Sequence, residues 1–186
     1  MNAEAVRGEG GGGVVVLGDA GPVCLVACGV ARERGGSGSG VMPLMRADAC
    51  RAMADRLGLA IVEPPRLATP HQAERGFVRG DGERESIELL RALYTVARSG
   101  LDECLWPVSA AEGDALDLDR IAECTDRAVL VSRLVALDGS SATGGHGRPG
   151  ITLRCPYVDL TDRQIADLIV YMDLPVDTIW WWGGDS

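Results

Sequence analysis

Short apolar runs alternate with longer stretches of helical periodicity along this chain. The first run, residues 14–17, is continuous and mostly β-branched, which is typical of a strand buried on both faces. Similar runs predict further strands at 41–45, 59–62, 103–108 and 151–155, and a last one at 176–182.

Helical stretches lie between these predicted strands. Pro22 can begin the first, at 22–32, because its missing N–H costs nothing at the first helical position. Thr161 and Gln164 form a capping box that opens the last helix. Glycines end the other three, which the periodicity places at 47–57, at 86–99 and from Asp117 or Asp119 to 138. Polar, glycine-containing residues predict long loops at 66–85 and 139–150.

The alternation of strands and helices predicts an α/β fold. Right-handed crossovers between parallel strands give a mostly parallel sheet with helices on both faces, which is a three-layer α/β/α sandwich of the Rossmann-like type. The 186 residues fit one domain. We place this domain at 14–186, after a disordered leader at 1–13 that ends in a run of glycines.

The charge of the chain narrows the classes of function. The formal net charge is -9, and a field of this sign disfavours nucleic-acid partners, whose affinity comes largely from basic side chains on phosphates. All 18 basic residues are arginine, which excludes a P-loop lysine, a Schiff-base lysine and a lysine general base. We therefore expect a small-molecule, nucleotide or protein partner.

The six cysteines are scattered through apolar stretches and form no Cys-x-x-Cys pair. This pattern is typical of reduced core residues in a cytoplasmic protein rather than of disulfides or zinc ligands. The longest apolar run, 23–31, is far shorter than a membrane span. We expect a cytoplasmic chain with no membrane partner.

The turn after the first strand is the main candidate site. In a parallel sheet this turn presents backbone amides and a helix N-terminus at the carboxyl edge, where anions bind. The turn here comprises Gly18, Asp19, Ala20 and Gly21, followed by Pro22. Asp19 places a negative charge where a phosphate would lie, and Pro22 removes one donor. A nucleotide-binding loop and a purely structural turn both remain open at this point.

Three segments of the chain resemble the PP-loop ATP pyrophosphatases, and among these enzymes the 7-cyano-7-deazaguanine synthases most closely. Those enzymes begin with a strand, a Ser-Gly-Gly-x-Asp-Ser loop and an apolar helix, and residues 14–31 have the same order. Their Arg-Asn-Thr segment, which opens a long helix, is similar to Arg84-Glu85-Ser86. The C-terminal match is more specific. The family segment Pro-Leu-x-Asp-Leu-Thr-Lys-x-Glu-Ile is similar to Cys155 to Thr161 followed by Ile165, and the segment Leu-Gly-Val-Pro is similar to Leu174 to Val176.

The resemblance implies an ATP- and magnesium-dependent ligase fold of queuosine biosynthesis. It implies that Gly18, Asp19, Ala20, Gly21 and Arg84 contact the nucleotide. The sequence departs from the family at Gly18 and Val23, where the two serines would fall, and at Pro22, which stands at the aspartate. The cysteines that bind zinc in the synthases have no counterpart, so we expect no zinc and no bound metal of that kind.

Other residues are weaker candidates. Cys24 and Cys28 share a helical face, although metal binding needs more ligands than two. His71 and His146 fall in predicted loops. The tryptophans 180, 181 and 182 are candidates for base stacking or for a homo-oligomer interface. An acidic run could hold a divalent cation or form a solvated loop and helix cap: Glu112, Asp114, Asp117 and Asp119.

Two hypotheses about function follow. The first is a nucleotide-binding relative of 7-cyano-7-deazaguanine synthase that acts on a small molecule with ATP. The second is a pseudoenzyme of the same fold that works as a binding or scaffold subunit. The altered loop favours the second hypothesis for catalysis and leaves ATP binding open; no catalytic residue is singled out.

Overall fold

The computed structural model describes residues 13–34, 38–63, 82–142 and 150–181. Its strands are β1 (Val14–Gly18), β2 (Gly40–Pro43), β3 (Ala60–Ile61), β4 (Glu103–Leu105), β5 (Ala111–Glu112), β6 (Ala115–Leu116) and β7 (Thr152–Arg154). Its α-helices are α1 (Pro22–Arg34), α2 (Ala47–Leu57), α3 (Gly82–Arg98), α4 (Leu118–Ala142) and α5 (Asp162–Tyr171).

Five of these strands form one parallel sheet in the order β3-β2-β1-β4-β7. The central strand β1 pairs with β2 on one side and with β4 on the other, and all four pairings in the sheet are parallel. Every residue of β1 is buried, as its continuous apolar run requires. The predicted α/β fold with a mostly parallel sheet is confirmed.

The two faces of the sheet are covered by different helices. One core cluster joins α1, α2 and α5 to alternate strand residues such as Val16 and Val41. The other joins α3 and α4 to residues of the opposite alternation, including Val15 and Met42. Because successive strand residues point to opposite faces, the two clusters are separate, and the molecule has the predicted three layers.

Several helices begin or end at the capping residues that the sequence predicts. The Thr161 hydroxyl accepts from the Gln164 N–H at 3.3 Å and the Gln164 side chain accepts from the Thr161 N–H at 2.9 Å, which forms the capping box of α5. The Arg120 N–H donates to Asp117 at 3.0 Å, so Asp117 caps α4. Gly58 ends α2 with a φ of 70°, a conformation that favours glycine.

The sequence-based prediction is wrong at four places. Instead of the start of a last strand at 176–182, the chain forms a 3-10 turn at Val176–Thr178, which pairs with no strand among the described residues; Trp182 lies outside them. Helix α3 begins at Gly82, inside the predicted loop 66–85, whose preceding part lies outside the described residues. Helix α4 continues to Ala142, past Gly139. The two-stranded antiparallel hairpin of β5 and β6 was not predicted.

None of the helices in the described part of the chain is both long and apolar enough to cross a bilayer.

Shortening a side chain in the α3–α4 layer tests this core assignment. Leu93 is fully buried on α3, so Leu93→Ala leaves a cavity and we expect it to lower the free energy of unfolding by about 2–5 kcal/mol. Urea denaturation followed by circular dichroism measures the change. The matched control is Leu118→Ala, since Leu118 is 73% exposed; its cost should stay within about 0.5 kcal/mol. Equal losses for the two variants would contradict the assignment.

Candidate functional site

A cleft opens at the carboxyl edge of the sheet, between the ends of β1 and β4. The strand order of the sheet changes direction at this point. Strands β2 and β3 lie on one side of β1, and strands β4 and β7 lie on the other. Ligands of open parallel sheets bind at such a switch point. The cleft has a volume of about 250 Å³. Its walls come from the turn after β1, the end of β2, the segment after β4 and the first turns of α3 and α4.

Backbone contacts hold the predicted turn at this edge. The carbonyl oxygen of Gly18 accepts from the N–H groups of Leu44 and Met45, at 2.9 and 3.2 Å, which ties the end of β1 to the segment after β2. Ala20 has a φ of 61° and is fully buried. A left-handed conformation costs a non-glycine residue roughly 1–2 kcal/mol, so this turn is held in a strained shape by its surroundings.

The carboxylate of Asp19 occupies the position where an anionic ligand would bind the turn. Its Oδ1 accepts from the Gly21 N–H at 2.8 Å. Burial raises the pKa of Asp19 above its ordinary value; the hydrogen bond from Gly21 and the nearby Arg46 guanidinium only partly offset this. The turn therefore supplies its own anion, and an amide that a phosphate would need is already bonded.

Close packing explains why Gly18 carries no side chain. A Cβ at this position would lie 2.8 Å from the Cys50 Sγ and 2.9 Å from a Val41 methyl. Both neighbours are fully buried and have little room to move. A serine, which the PP-loop pattern would place here, does not fit without rearranging α2.

Arg46 and Trp180 clamp the outer side of the turn. The Arg46 guanidinium lies over the Trp180 ring, 3.9 Å from its centroid, and donates to the Asp19 carbonyl oxygen at 3.1 Å. The backbone N–H of Trp180 donates to the Ala20 carbonyl oxygen at 3.2 Å. Arg46 itself has a φ of 45°. Trp180 thus contacts both left-handed residues, Ala20 through its backbone and Arg46 through its ring.

A buried ion-pair network forms the opposite wall of the cleft. Arg120, at the start of α4, donates to both carboxylate oxygens of Glu85, at 2.8 and 3.2 Å. Burial lowers the pKa of Arg120, but the hydrogen bonds to Glu85 and Glu123 and the neighbouring negative charges together outweigh it, and the pKa is raised overall. Arg127 lies 3.4 Å from Glu85 and also contacts Glu123 and the Gly82 carbonyl oxygen. This network joins the first turns of α3 and α4.

Arg84 lies beside this wall but is not among the residues that line the cleft. Its Nε donates to Glu88 on the same helix at 3.1 Å. The guanidinium that lines the cleft belongs to Arg120 instead. The structure therefore brings Gly18 and Asp19 into the cleft, keeps Ala20 and Gly21 in the turn behind them, and leaves Arg84 outside.

Three cysteines are buried behind the turn. The sulfur atoms of Cys24 and Cys28 lie 4.0 Å apart, and Cys50 packs against Gly18. The contact with Cys24 raises the pKa of Cys28, and burial raises that of Cys50 to about 12. The thiols of Cys28 and Cys50 therefore stay protonated at neutral pH, and all three cysteines pack as small apolar side chains.

The remaining predicted candidates do not gather at the cleft. Asp117 caps α4, and Glu112 lies in the hairpin of β5 and β6. Within the described residues, no three His, Cys, Asp or Glu side chains come together as a metal site. His71, His146 and Trp182 lie outside the described residues. Trp181 packs edge-on against Trp180, with ring centroids 5.4 Å apart, and is 49% exposed.

Sequence reasoning missed four residues of the site: Arg46, Glu85, Trp106 and Arg120. Glu85 and Arg120 lie 35 positions apart, so only the packing of α3 on α4 brings them together. Trp106 was assigned to a strand, yet it follows β4 and lines the cleft. Its place just after a central strand is the one signal that the sequence offered.

The pH dependence of stability tests the burial of Asp19. Its raised pKa means that the folded state binds more protons than the unfolded state just above pH 3.8, so ionisation of Asp19 lowers stability as the pH rises through this window. Asp19→Asn keeps an acceptor for Gly21 and cannot ionise. We expect the melting temperature of the variant to exceed that of the wild type at pH 7, by a margin that shrinks towards pH 4. A margin independent of pH would contradict this account.

Removal of Glu85 tests the ion-pair network. Glu85→Ala leaves Arg120 and Arg127 with Glu123 as their one remaining carboxylate in the network, and we expect a loss of about 1–3 kcal/mol in the free energy of unfolding. The control is Glu88→Ala on the same helix, which removes one i,i+4 pair and should cost about 0.5 kcal/mol. Urea titrations of both variants measure the difference; similar costs would show that the network is not a buried charge pair.

None of the protein-family models matches the chain, and no curated protein matches it.

Proposed function

We propose that this chain is a PP-loop-like domain, related to the 7-cyano-7-deazaguanine synthases, that binds a nucleobase or nucleoside in the switch-point cleft and does not perform their ATP-dependent ligation. The observation that carries this proposal is the position of the Asp19 carboxylate. It accepts a hydrogen bond from the Gly21 N–H at the mouth of the cleft between β1 and β4.

The shape and lining of the cleft support a small, flat ligand. Its volume of about 250 Å³ falls just below the roughly 300–1,000 Å³ of pockets for drug-sized ligands. Apolar side chains provide much of the wall: Leu17, Val23, Leu44, Met45, Trp106 and Val108. An apolar wall with a few polar groups at its rim suits a heterocyclic base better than a triphosphate.

The charge of the cleft supports the same ligand class. Two carboxylates, Asp19 and Glu85, and one guanidinium, Arg120, line it among the described residues, and Arg120 is already paired with Glu85. Asp19 would repel a phosphate at the turn by about 1 kcal/mol or more. A neutral base or nucleoside escapes this repulsion, and its N–H groups can donate to the carboxylate.

The same features argue against adenylation chemistry. That reaction needs pyrophosphate and magnesium clamped together by preorganised donors, since positioning and charge stabilisation supply most of the rate. Here Gly18 has no hydroxyl, Pro22 has no N–H and the Gly21 amide is bonded to Asp19. ATP and magnesium are therefore proposed only as weak ligands, with the adenine in the cleft.

Calorimetric titration with adenosine and with ATP–magnesium tests this proposal. For the wild type we expect adenosine to bind at least as tightly as ATP–magnesium, because the phosphates gain nothing from the turn. Asp19→Asn removes the repelling charge, and we expect the affinity for ATP–magnesium to rise about fivefold, equivalent to about 1 kcal/mol.

The control for this titration is Asp48→Asn. Asp48 is a fully exposed carboxylate in the first turn of α2, so its loss changes the net charge equally without touching the cleft. Its affinity for ATP–magnesium should equal that of the wild type. If neither ligand gives heat with the wild type or with Asp19→Asn at millimolar concentration, the proposal fails.

A scaffold role is the second candidate function. The half-exposed Trp181 ring favours it, because a large exposed aromatic side chain is a common anchor of protein interfaces. Trp180 contributes less to such a surface, since its ring is stacked on Arg46.

A further inference from the structure

Trp180 is connected by two routes to the turn after β1, residues 18–21, which we call the β1 turn. Its backbone N–H donates directly to the Ala20 carbonyl oxygen at 3.2 Å. Its ring carries the Arg46 guanidinium, 3.9 Å from the ring centroid, and that guanidinium donates to the Asp19 carbonyl oxygen at 3.1 Å. The two routes therefore end on consecutive residues of the turn that lines the cleft.

The conformation of the β1 turn depends on contacts of this kind. Ala20 has a φ of 61°, and a non-glycine residue keeps a left-handed conformation only where its surroundings hold it there. The hydrogen bond from the Gly21 N–H to the Asp19 carboxylate spans Ala20. The position of this carboxylate at the cleft is therefore fixed only as long as Ala20 keeps its conformation.

The charge of Arg46 also acts on the Asp19 carboxylate. Burial raises the pKa of Asp19, and the hydrogen bond from Gly21 and the Arg46 guanidinium lower it in part. Arg46 is exposed, so its guanidinium is held near the turn by the Trp180 ring and by its own bond to the Asp19 carbonyl oxygen. The stack thus keeps a cation beside a carboxylate that burial disfavours.

The other ionisable groups around Asp19 contribute little charge. The Cys28 thiol of α1 and the Cys50 thiol of α2 lie close enough to feel the carboxylate, and both are protonated at neutral pH. Across the cleft, Glu85 and Arg120 form an ion pair with each other. Arg46 is the cation that lowers the pKa of Asp19.

We propose that Trp180 and Arg46 are positioning residues of the cleft, which hold the Asp19 carboxylate through the β1 turn so that it accepts a hydrogen bond from the ligand. Neither residue is among those that line the cleft, so each acts on the ligand only through the turn. The inference rests on the proposed binding of a nucleobase or nucleoside. It adds that a cation–aromatic stack outside the cleft sets the affinity within it.

Calorimetric titration with adenosine tests the positioning role. Trp180→Ala removes the ring and keeps the backbone bond to Ala20. We expect the dissociation constant at pH 7 to rise about fivefold, because the ligand must then order the turn itself. Trp180→Phe keeps a ring for the guanidinium and should stay within about twofold of the wild type. The control is Tyr171→Ala, which removes an aromatic side chain that is 87% exposed and should bind like the wild type.

A double-mutant cycle shows whether the two residues act together. If the ring acts by holding the guanidinium, Arg46→Ala should weaken adenosine binding by a similar factor, and adding Trp180→Ala should weaken it no further. Both side chains lie outside the core, so we expect every variant to keep the far-UV circular dichroism spectrum of the wild type. Losses that add in the double variant would contradict a joint action.

The titration of Asp19 provides a test that needs no ligand. Carbon-13 NMR of its carboxyl group follows ionisation in the free protein. Because the Arg46 charge lowers the pKa of Asp19, Arg46→Ala and Trp180→Ala should both titrate at a higher pH than the wild type, and Trp180→Phe should titrate with the wild type. On acidification, both alanine variants should also lose adenosine binding at a higher pH, since protonation removes the ionised acceptor.

The outcomes separate this inference from the function on which it rests. A wild type that binds adenosine, with the same dissociation constant and the same Asp19 titration in Trp180→Ala, overturns the inference alone. A loss of affinity that Trp180→Phe shares with Trp180→Ala also overturns it, because the stack is then not the cause. No heat with adenosine for the wild type overturns the proposed function and, with it, the role in ligand binding; the Asp19 titration then still decides whether the stack acts on the turn.

Discussion

The hydrogen bond between the Gly21 N–H and the Asp19 carboxylate closes the turn at the end of the central strand, and the other features of the cleft are arranged around it. The bond fixes the carboxylate at the N-terminus of α1, where the positive end of the helix favours a negative charge. It also leaves Ala20 in a left-handed conformation. The turn at the end of β1 thus binds one of its own amides with one of its own carboxylates.

The charged side chains on the two walls of the cleft are neutralised in different ways. On the side of β1, Asp19 is buried with Arg46 as the nearby cation. On the side of β4, four charged groups of α3 and α4 neutralise one another. A buried network of this kind contributes little net stability compared with apolar packing, but it fixes the position of the helices that carry it. The shape of the cleft therefore depends on polar contacts more than on the core below it.

Most of the fold could be predicted from the sequence because its signals are local. The continuous run at 14–17, the helical spacing of Cys50 and Met53 and the capping box at Thr161 each fix an element within a few residues. Val176–Thr178 misled the prediction, since a β-branched apolar run forms a strand only where a neighbouring strand is available.

The candidate site was only half predictable. Gly18 and Asp19 follow a buried strand, and their place at the carboxyl edge follows from the topology of any parallel sheet. Arg120 and Glu85 line the cleft through a contact between helices distant in sequence, and Arg46 reaches the turn in the same way. Arg84 pairs with Glu88 on its own helix. Periodicity carries no information about which of two arginines faces inward.

The stack of Trp180 on Arg46 has a consequence for the order in which the protein is made. Residues 20 and 180 are joined by a backbone hydrogen bond, so the shape of the first loop depends on a residue that is synthesised much later. On the ribosome, the central strand and α1 emerge early, yet the clamp that holds Ala20 and Arg46 can form only after Trp180 has emerged as well. A chain truncated before Trp180 would thus contain the residues that line the cleft but lack the support that shapes the turn.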